Sequence, residues 1–93
     1  MNSIQWLRNK VRERFPGLTV VFDPPAREEG IWYLDIFVPG RVIIVQYQPP
    51  DKFGLSVSPD GDPEEAYKFT HKPDLVFDNE TDWRNAVFTE MGK

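Results

Sequence analysis

The sequence contains no cysteine and only one histidine, His71. A chain without cysteine has no disulfide framework and no thiolate chemistry, and its zinc sites would have to combine His71 with carboxylates alone. We therefore expect no structural metal and no bound cofactor. Long apolar runs are missing as well, since no stretch approaches the roughly 18 residues of a membrane span and the first residues lack the apolar core of a signal peptide. These absences predict a cytoplasmic protein with no membrane partner.

Catalytic and phosphate-binding motifs are also missing, and the six glycines are scattered and form no phosphate-binding loop. One acidic cluster raises the question of calcium, but it lacks the glycine and the final glutamate of an EF-hand loop. Its acids instead suit a turn and the start of a short helix. The cluster consists of Asp60, Asp62, Glu64 and Glu65. His71 with Asp74 and Asp78 could form an acid-base group, so a small enzyme stays an alternative, although we expect no catalytic activity.

The 93 residues suit a single domain, spanning residues 1–93, and 40% of them are hydrophobic and 14% aromatic. This composition can supply one core without disulfides. The net charge is −4, and the acidic excess lies in residues 51–93, which carry ten acidic and five basic side chains. The negative electrostatic potential of such an acidic protein repels phosphate backbones unless a local basic patch overcomes it.

Two helices are predicted at the ends of the chain. The first runs from about residue 3 to 14, with Asn2 or Ser3 as its cap and Pro16-Gly17 as its stop. Its apolar stripe, which we expect in the core, consists of Ile4, Leu7, Val11 and Phe15. The second begins at Asn79 or Thr81 and ends at Gly92, and its apolar positions are Trp83, Val87 and Met91. A short helical turn is expected to begin at Asp62, which is followed by proline.

Four strands are predicted between these helices, at about residues 18–22, 31–38, 41–48 and 53–58. Pro39-Gly40 joins the middle two, and a two-residue connection pairs Trp32 with Tyr47, although a longer loop would shift the register and exchange the faces. The last strand should lie at an edge, and residues 70–77 should be extended or irregular. The fold class is therefore α+β: an antiparallel meander of three or four strands, with N-terminal and C-terminal helices packed on one face, in the order α-β-β-β-β-α-α.

The hairpin has two apolar faces, and the helices can cover only one of them. The second face carries Tyr33, Phe37, Val42 and Ile44, together with Val21 on the preceding strand, and it is interrupted by Asp35 and two glutamines. Either another part of the chain covers it or a partner does. Trp6 is also expected to face outward, opposite the core stripe of its helix. The leading hypothesis is a non-enzymatic interaction domain that self-associates or binds a protein partner. The residues expected to form the contact are Tyr33, Phe37, Val42, Ile44 and Trp6.

Nucleic-acid binding is the alternative, because the element order is similar to that of double-stranded RNA-binding domains and the first helix contains RNKVRER. On a helical wheel, however, Arg8 and Arg12 flank one side of the apolar stripe, and Lys10 and Arg14 flank the other. The four cations therefore border the stripe and do not merge into one phosphate-binding patch. We expect no nucleic-acid partner.

The segment FGLSVS, followed by HKPDLVFDNETDWRNAVF, resembles a pattern found in small bacterial proteins, including cyanobacterial ones, that have no established activity. They carry an N-terminal helix, a meander, a Phe-Gly-Val/Leu-Ser strand, a Gly-Pro-Asp-x-Val-aromatic segment and a final helix. The similarity covers most of the chain, and Lys72 stands where glycine is usual. Some of these proteins are encoded beside helix-turn-helix regulators, so the resemblance implies a regulatory or accessory role.

Overall fold

The computed structural model describes residues 1–58 and 73–93, and in these ranges it has two helices and one five-stranded antiparallel sheet. The α+β class and the placement of the helices at the ends of the chain are confirmed. The short helix expected from Asp62 lies outside the described residues. The elements in chain order are α1 (Ser3–Arg14), β1 (Thr19–Asp23), β2 (Trp32–Val38), β3 (Arg41–Gln48), β4 (Lys52–Ser58), β5 (Leu75–Phe77) and α2 (Glu80–Met91).

Helix α1 begins with a capping box at Asn2. The Asn2 side chain accepts a hydrogen bond from the Gln5 backbone N–H at 3.0 Å, and the Gln5 side chain accepts one from the Asn2 N–H at 2.9 Å. The predicted core positions Ile4, Leu7 and Val11 are buried. Phe15 was wrongly assigned to this stripe: the helix ends at Arg14, so Phe15 leaves the helical path with φ −133° and stays exposed.

The central hairpin has the register that a two-residue turn predicts. Trp32 pairs with Tyr47, Ile36 with Ile43, and Val38 with Arg41. Gly40 has φ 81°, the positive value that a type II turn needs at its third residue and that glycine adopts without strain. The alternative of a longer loop with exchanged faces is therefore excluded.

The sheet has the strand order β1-β2-β3-β4-β5, one strand more than the four that the sequence located. The additional strand is β5, which pairs with β4 through Phe53 and Phe77, Gly54 and Val76, and Leu55 and Leu75. Consequently β4 lies inside the sheet. The sequence had predicted an edge position for this strand, and that prediction is wrong. Three residues are too few to display a clear alternation of apolar and polar side chains, which is why the sequence left this segment extended or irregular.

Both helices pack on the same face of the sheet, which we call the inner face. The predicted positions Trp83, Val87 and Met91 of α2 are all buried there. They meet the apolar stripe of α1 and the inward side chains of the strands in one core cluster. Arg41, beside the hairpin turn, donates to the backbone oxygens of Glu90 and Lys93 and so attaches the turn to the C-terminal end of α2.

Among the described residues, neither helix has the length and apolar character needed to cross a membrane.

Candidate functional site

The side of the sheet opposite the helices, the outer face, carries four of the five residues that the sequence singled out. Tyr33 pairs with Gln46, Asp35 with Ile44, and Phe37 with Val42. All six side chains therefore point to one side of two adjacent strands, as the alternation of a strand requires. The structure thus places Tyr33, Phe37, Val42 and Ile44 together.

The middle of the outer face is buried within the single chain. Val42 is 0% exposed and Ile44 is 2% exposed, and the neighbouring Asp35 and Gln46 are buried too. A partner cannot contact side chains that have no accessible surface. The sequence left open whether the chain itself or a partner covers this face. The chain itself buries Val42 and Ile44, so these two residues belong to the interior and are not available for a partner contact.

One margin of the outer face stays accessible, on the side of β1. Val21 is 47% exposed and lies opposite Asp35 in the β1–β2 ladder. Tyr33 and Phe37, both half-buried, are its diagonal neighbours, at a typical separation of about 7–8 Å. We call Val21, Tyr33 and Phe37 the β1 margin. It is an apolar and aromatic patch on a terminal strand of the sheet, the composition found at protein interfaces.

Trp6 lies on the other side of the molecule, in the helix layer. The Arg84 guanidinium of α2 stacks over its indole at 3.6 Å from the ring centroid, and Lys10 lies 5.7 Å away. Trp6 is half-buried and packs against the core. The expectation of an outward-facing tryptophan is therefore corrected: Trp6 joins the two helices through a cation–π contact and is not part of the outer face.

The basic side chains of α1 are distributed over two sides of the helix. Arg8 lies over the Phe22 ring at 4.6 Å and Arg14 over the Phe88 ring at 4.6 Å, in each case to the ring centroid. Lys10 pairs with Glu13 at 3.5 Å. Since Phe22 is on β1 and Phe88 on α2, these cations border opposite sides of the helix and do not form a strip that could follow a phosphate backbone.

The acidic cluster at residues 60–65 and His71 lie outside the described residues, so the structure gives no geometry for the acid-base group considered from the sequence. Within residues 1–58 and 73–93, no three histidine or acidic side chains come together in a group that could hold a metal ion.

The opposite end of the outer face contains a cavity of about 380 Å³ that the sequence did not predict. Its wall includes Gln46 of β3, Gly54 of β4, and Pro73 and Val76 at β5. Pro73 packs directly on Gly54, and a Cβ atom at Gly54 would lie 2.5 Å from the Pro73 Cγ atom. The nearby Ser56 Oγ accepts a hydrogen bond from the Asp74 N–H at 3.0 Å. A glycine inside a predicted strand was the available signal, because such a glycine often marks the close approach of another segment.

Comparison with known proteins identifies no relative: no family model matches the chain, and no curated protein and no solved structure is significantly similar to it. The resemblance to small bacterial proteins therefore stays a prediction. Among the described residues of the outer face, accessible surface lies at the β1 margin and at the cavity beside Gln46.

Proposed function

We propose that this chain is a small, non-enzymatic protein-interaction domain that uses the β1 margin to pair with a second copy of itself or with a strand of a protein partner. The observation that supports the proposal is the exposed Val21 on a terminal strand, flanked by the aromatic rings of Tyr33 and Phe37. A terminal strand presents backbone N–H and C=O groups that another strand can pair with. A regulatory or accessory role, which the resemblance implies, is compatible with such a domain.

The two terminal strands differ in what they can offer to a partner. β1 has five residues, and all of them pair with β2, so its outer edge can pair with a partner over the length of five residues. β5 has only three residues, and short edge strands are one device by which proteins limit edge-to-edge association. The outer face beside β5 is also concave, because the cavity lies there. These differences favour β1 for a protein contact.

The sequence of β1 suits pairing with a second copy of the same strand. In an antiparallel pair centred on Val21, Thr19 of one copy stands opposite Asp23 of the other. The threonine hydroxyl can donate to the carboxylate, so each end of the pair gains a hydrogen bond and the two carboxylates stay apart. The Val21 side chains would meet at the centre and join the two outer faces into one apolar surface.

Val21→Lys is expected to disrupt this association. Lysine at the centre of an edge strand places a charge where two copies would bring like charges together. We expect the dissociation constant to rise by about tenfold or more, which corresponds to about 1.4 kcal/mol. Sedimentation equilibrium over a wide concentration range measures this change. The urea midpoint should stay near that of the wild type, because Val21 is 47% exposed.

Val76→Lys is the matched control, since Val76 is also an exposed valine of the outer face but belongs to β5, at the other end of the sheet. It should associate like the wild type. The same pair of variants tests a partner strand by affinity capture, where Val21→Lys should lose what Val76→Lys retains. The proposal is wrong if the wild type is monomeric at every concentration and captures nothing that depends on Val21. It is also wrong if Val76→Lys alone abolishes association.

A further inference from the structure

A groove of about 480 Å³ lies between helix α1 and the terminal strand β1, on the inner face of the sheet. Its strand side includes Val20 and Phe22, which are half-buried and pack against the core. Its helix side is formed by Arg8 and Arg12. A segment that pairs with the outer edge of β1 presents alternate side chains to the two faces of the sheet. Such a segment therefore contacts the β1 margin on the outer face and this groove on the inner face.

The two arginines follow the course of β1. Residues 15–18 connect the end of α1 to the start of β1, so the helix and the strand run in opposite directions. Arg8 lies over the Phe22 ring, near the end of the strand, and Arg12 lines the groove with Thr19, at the start of the strand. One turn of helix advances about 5.4 Å and two residues of a strand about 6.6 Å. The arginines therefore have nearly the spacing of alternate side chains on an added strand.

Both guanidinium groups are placed to accept a carboxylate. Arg12 is exposed. Arg8 is half-buried and turns the face of its guanidinium to the Phe22 ring, so its terminal N–H groups, which lie in the guanidinium plane, can still donate. Arginine presents these donors as a planar fork that matches the two oxygens of a carboxylate. Acidic side chains on the inner face of an added strand thus have suitable partners.

A second copy of β1 does not supply these carboxylates. In an antiparallel pair centred on Val21, the inward side chains of the second strand are again Val20 and Phe22. Such a pair also brings the arginines of the two copies toward each other. A strand with an apolar residue opposite Val21 and an acidic residue on each side of it contacts the outer face and both arginines. The inner face therefore favours an acidic partner strand over a second copy.

We propose that the partner of β1 is an extended acidic segment of another protein, which adds to the outer edge of β1 as a strand and places two carboxylates, two residues apart, against Arg8 and Arg12. The inference rests on the proposed function and specifies the chemistry of the partner. It predicts the pattern acidic–apolar–acidic, because the residue between the two acids points to the outer face, where it meets Val21.

The peptide Ac-STEVETS-NH₂ is the probe, and its binding is measured by ¹⁵N–¹H NMR titration of the full chain. We expect saturable shifts of the amides of β1 and slower hydrogen exchange of those that point to the added strand. The glutamine analogue Ac-STQVQTS-NH₂ has the same shape without the charges. It should bind about tenfold more weakly, about threefold for each exposed ion pair. This preference should shrink between about 0.02 M and about 0.5 M salt, because salt screens exposed charges.

Arg12→Glu tests the charge of the groove, and its exposure makes the substitution compatible with the fold. The variant should lose the preference for the glutamate peptide, and it should bind the lysine analogue Ac-STKVKTS-NH₂ about threefold more tightly than the wild type does. Arg14→Glu is the matched control. It makes the same change in net charge on the same helix, but Arg14 lies over the Phe88 ring, on the other side of α1, so the tenfold preference should remain. Thermal unfolding checks that both variants fold.

Three results would overturn the inference: equal affinity of the wild type for the glutamate and glutamine peptides, an unchanged preference in Arg12→Glu, or binding of the glutamate peptide without slower exchange in β1. The absence of any saturable shift with the glutamate peptide would overturn it as well. The comparison of Val21→Lys with Val76→Lys uses no peptide, so it tests the proposed function separately. Association that depends on Val21, without a preference for the glutamate peptide, would leave the proposed function intact and reject the acidic partner alone.

Discussion

Trp83→Ala is expected to lower the free energy of unfolding by about 3–5 kcal/mol, the usual range for removal of a large buried aromatic side chain. Trp83 is fully buried on α2, and its ring centroid lies 5.0 Å from that of Phe53 and 6.1 Å from that of Tyr47. Its indole N–H donates to the Gly54 carbonyl at 3.0 Å. The variant thus loses the side chain that attaches the C-terminal helix to the middle of the sheet. Since small domains have a total stability of about 5–15 kcal/mol, this loss should remove a large share of it.

Urea unfolding followed by far-UV circular dichroism measures this loss. Trp83→Phe separates the packing of the aromatic ring from the indole hydrogen bond, because phenylalanine keeps a ring but has no N–H donor. The lost hydrogen bond should cost about 1 kcal/mol, and the smaller ring adds a further packing cost. Trp6→Ala is the matched control. Trp6 is only half-buried and contacts Arg84 through a cation–π interaction, so its removal should cost clearly less. Equal midpoints for Trp83→Ala and Trp6→Ala would contradict the assignment of Trp83 as the central contact of α2.

Local sequence signals were sufficient to predict the helices and the central hairpin. The apolar spacing of Trp83, Val87 and Met91 indicates one face of a helix, and all three are buried. The pairing across Pro39-Gly40 follows from the length of the turn and the alternation of the strands, and the register agrees from Trp32 to Val38. These features depend on residues that are close together in the chain, where periodicity and turn chemistry act directly.

On the outer face, local sequence signals predict which residues share the face but not which of them are buried. A period of two assigns Tyr33, Phe37, Val42 and Ile44 to one side of the sheet, and that assignment is correct. The same period contains no information on whether distant residues cover that side, which is why the sequence could not separate the buried Val42 and Ile44 from the accessible margin. The alternation is identical for exposed and covered positions, and only tertiary packing distinguishes them.

The error at Trp6 has a similar origin. A helical wheel places Trp6 away from the stripe that faces the sheet, but it does not show a second helix packed beside the first. In the structure Arg84 approaches from α2 and stacks on the indole at 3.6 Å. Phe15 shows the opposite error, because continuing the wheel past the last helical residue assigned a core position to a side chain that the helix no longer directs.

Gly54→Ala is expected to cost about 1–3 kcal/mol, the usual cost of adding an atom to a tightly packed site. The new Cβ would lie 2.5 Å from Pro73 Cγ and 2.7 Å from Pro73 Cβ. The proline ring cannot rotate away, because it is fixed to the backbone, so the chain at Pro73 must move off the sheet. The hydrogen bond from the Asp74 N–H to Ser56 Oγ should be lost with it. Urea midpoints measure the cost, and amide shifts of Asp74 and Val76 report the displacement.

Gly17→Ala is the control for this substitution, because a Cβ there would have no atom within 4 Å. That variant should be as stable as the wild type or slightly more stable, since alanine restricts the unfolded chain. A double-mutant cycle with Pro73→Gly identifies the contact itself. If Pro73 is the obstacle, Gly54→Ala should cost clearly less in the Pro73→Gly background, and purely additive costs would contradict the packing of Pro73 on Gly54.

Gly54 is contacted from both sides of the sheet, and this explains why one added methyl group should affect both the core and the cavity. On the inner face its carbonyl accepts the Trp83 indole N–H, and on the outer face Pro73 occupies the space that a Cβ atom of residue 54 would take. A shift of β4 to relieve the outer contact would lengthen the inner hydrogen bond, whereas a shift of Pro73 would widen the cavity beside Gln46. Because the Trp83 contact is central to the core, we expect Pro73 to move. Gly54→Ala should therefore displace the amide resonances of Asp74 and Val76 and leave that of the Trp83 indole N–H in place, while Gly17→Ala should change none of them.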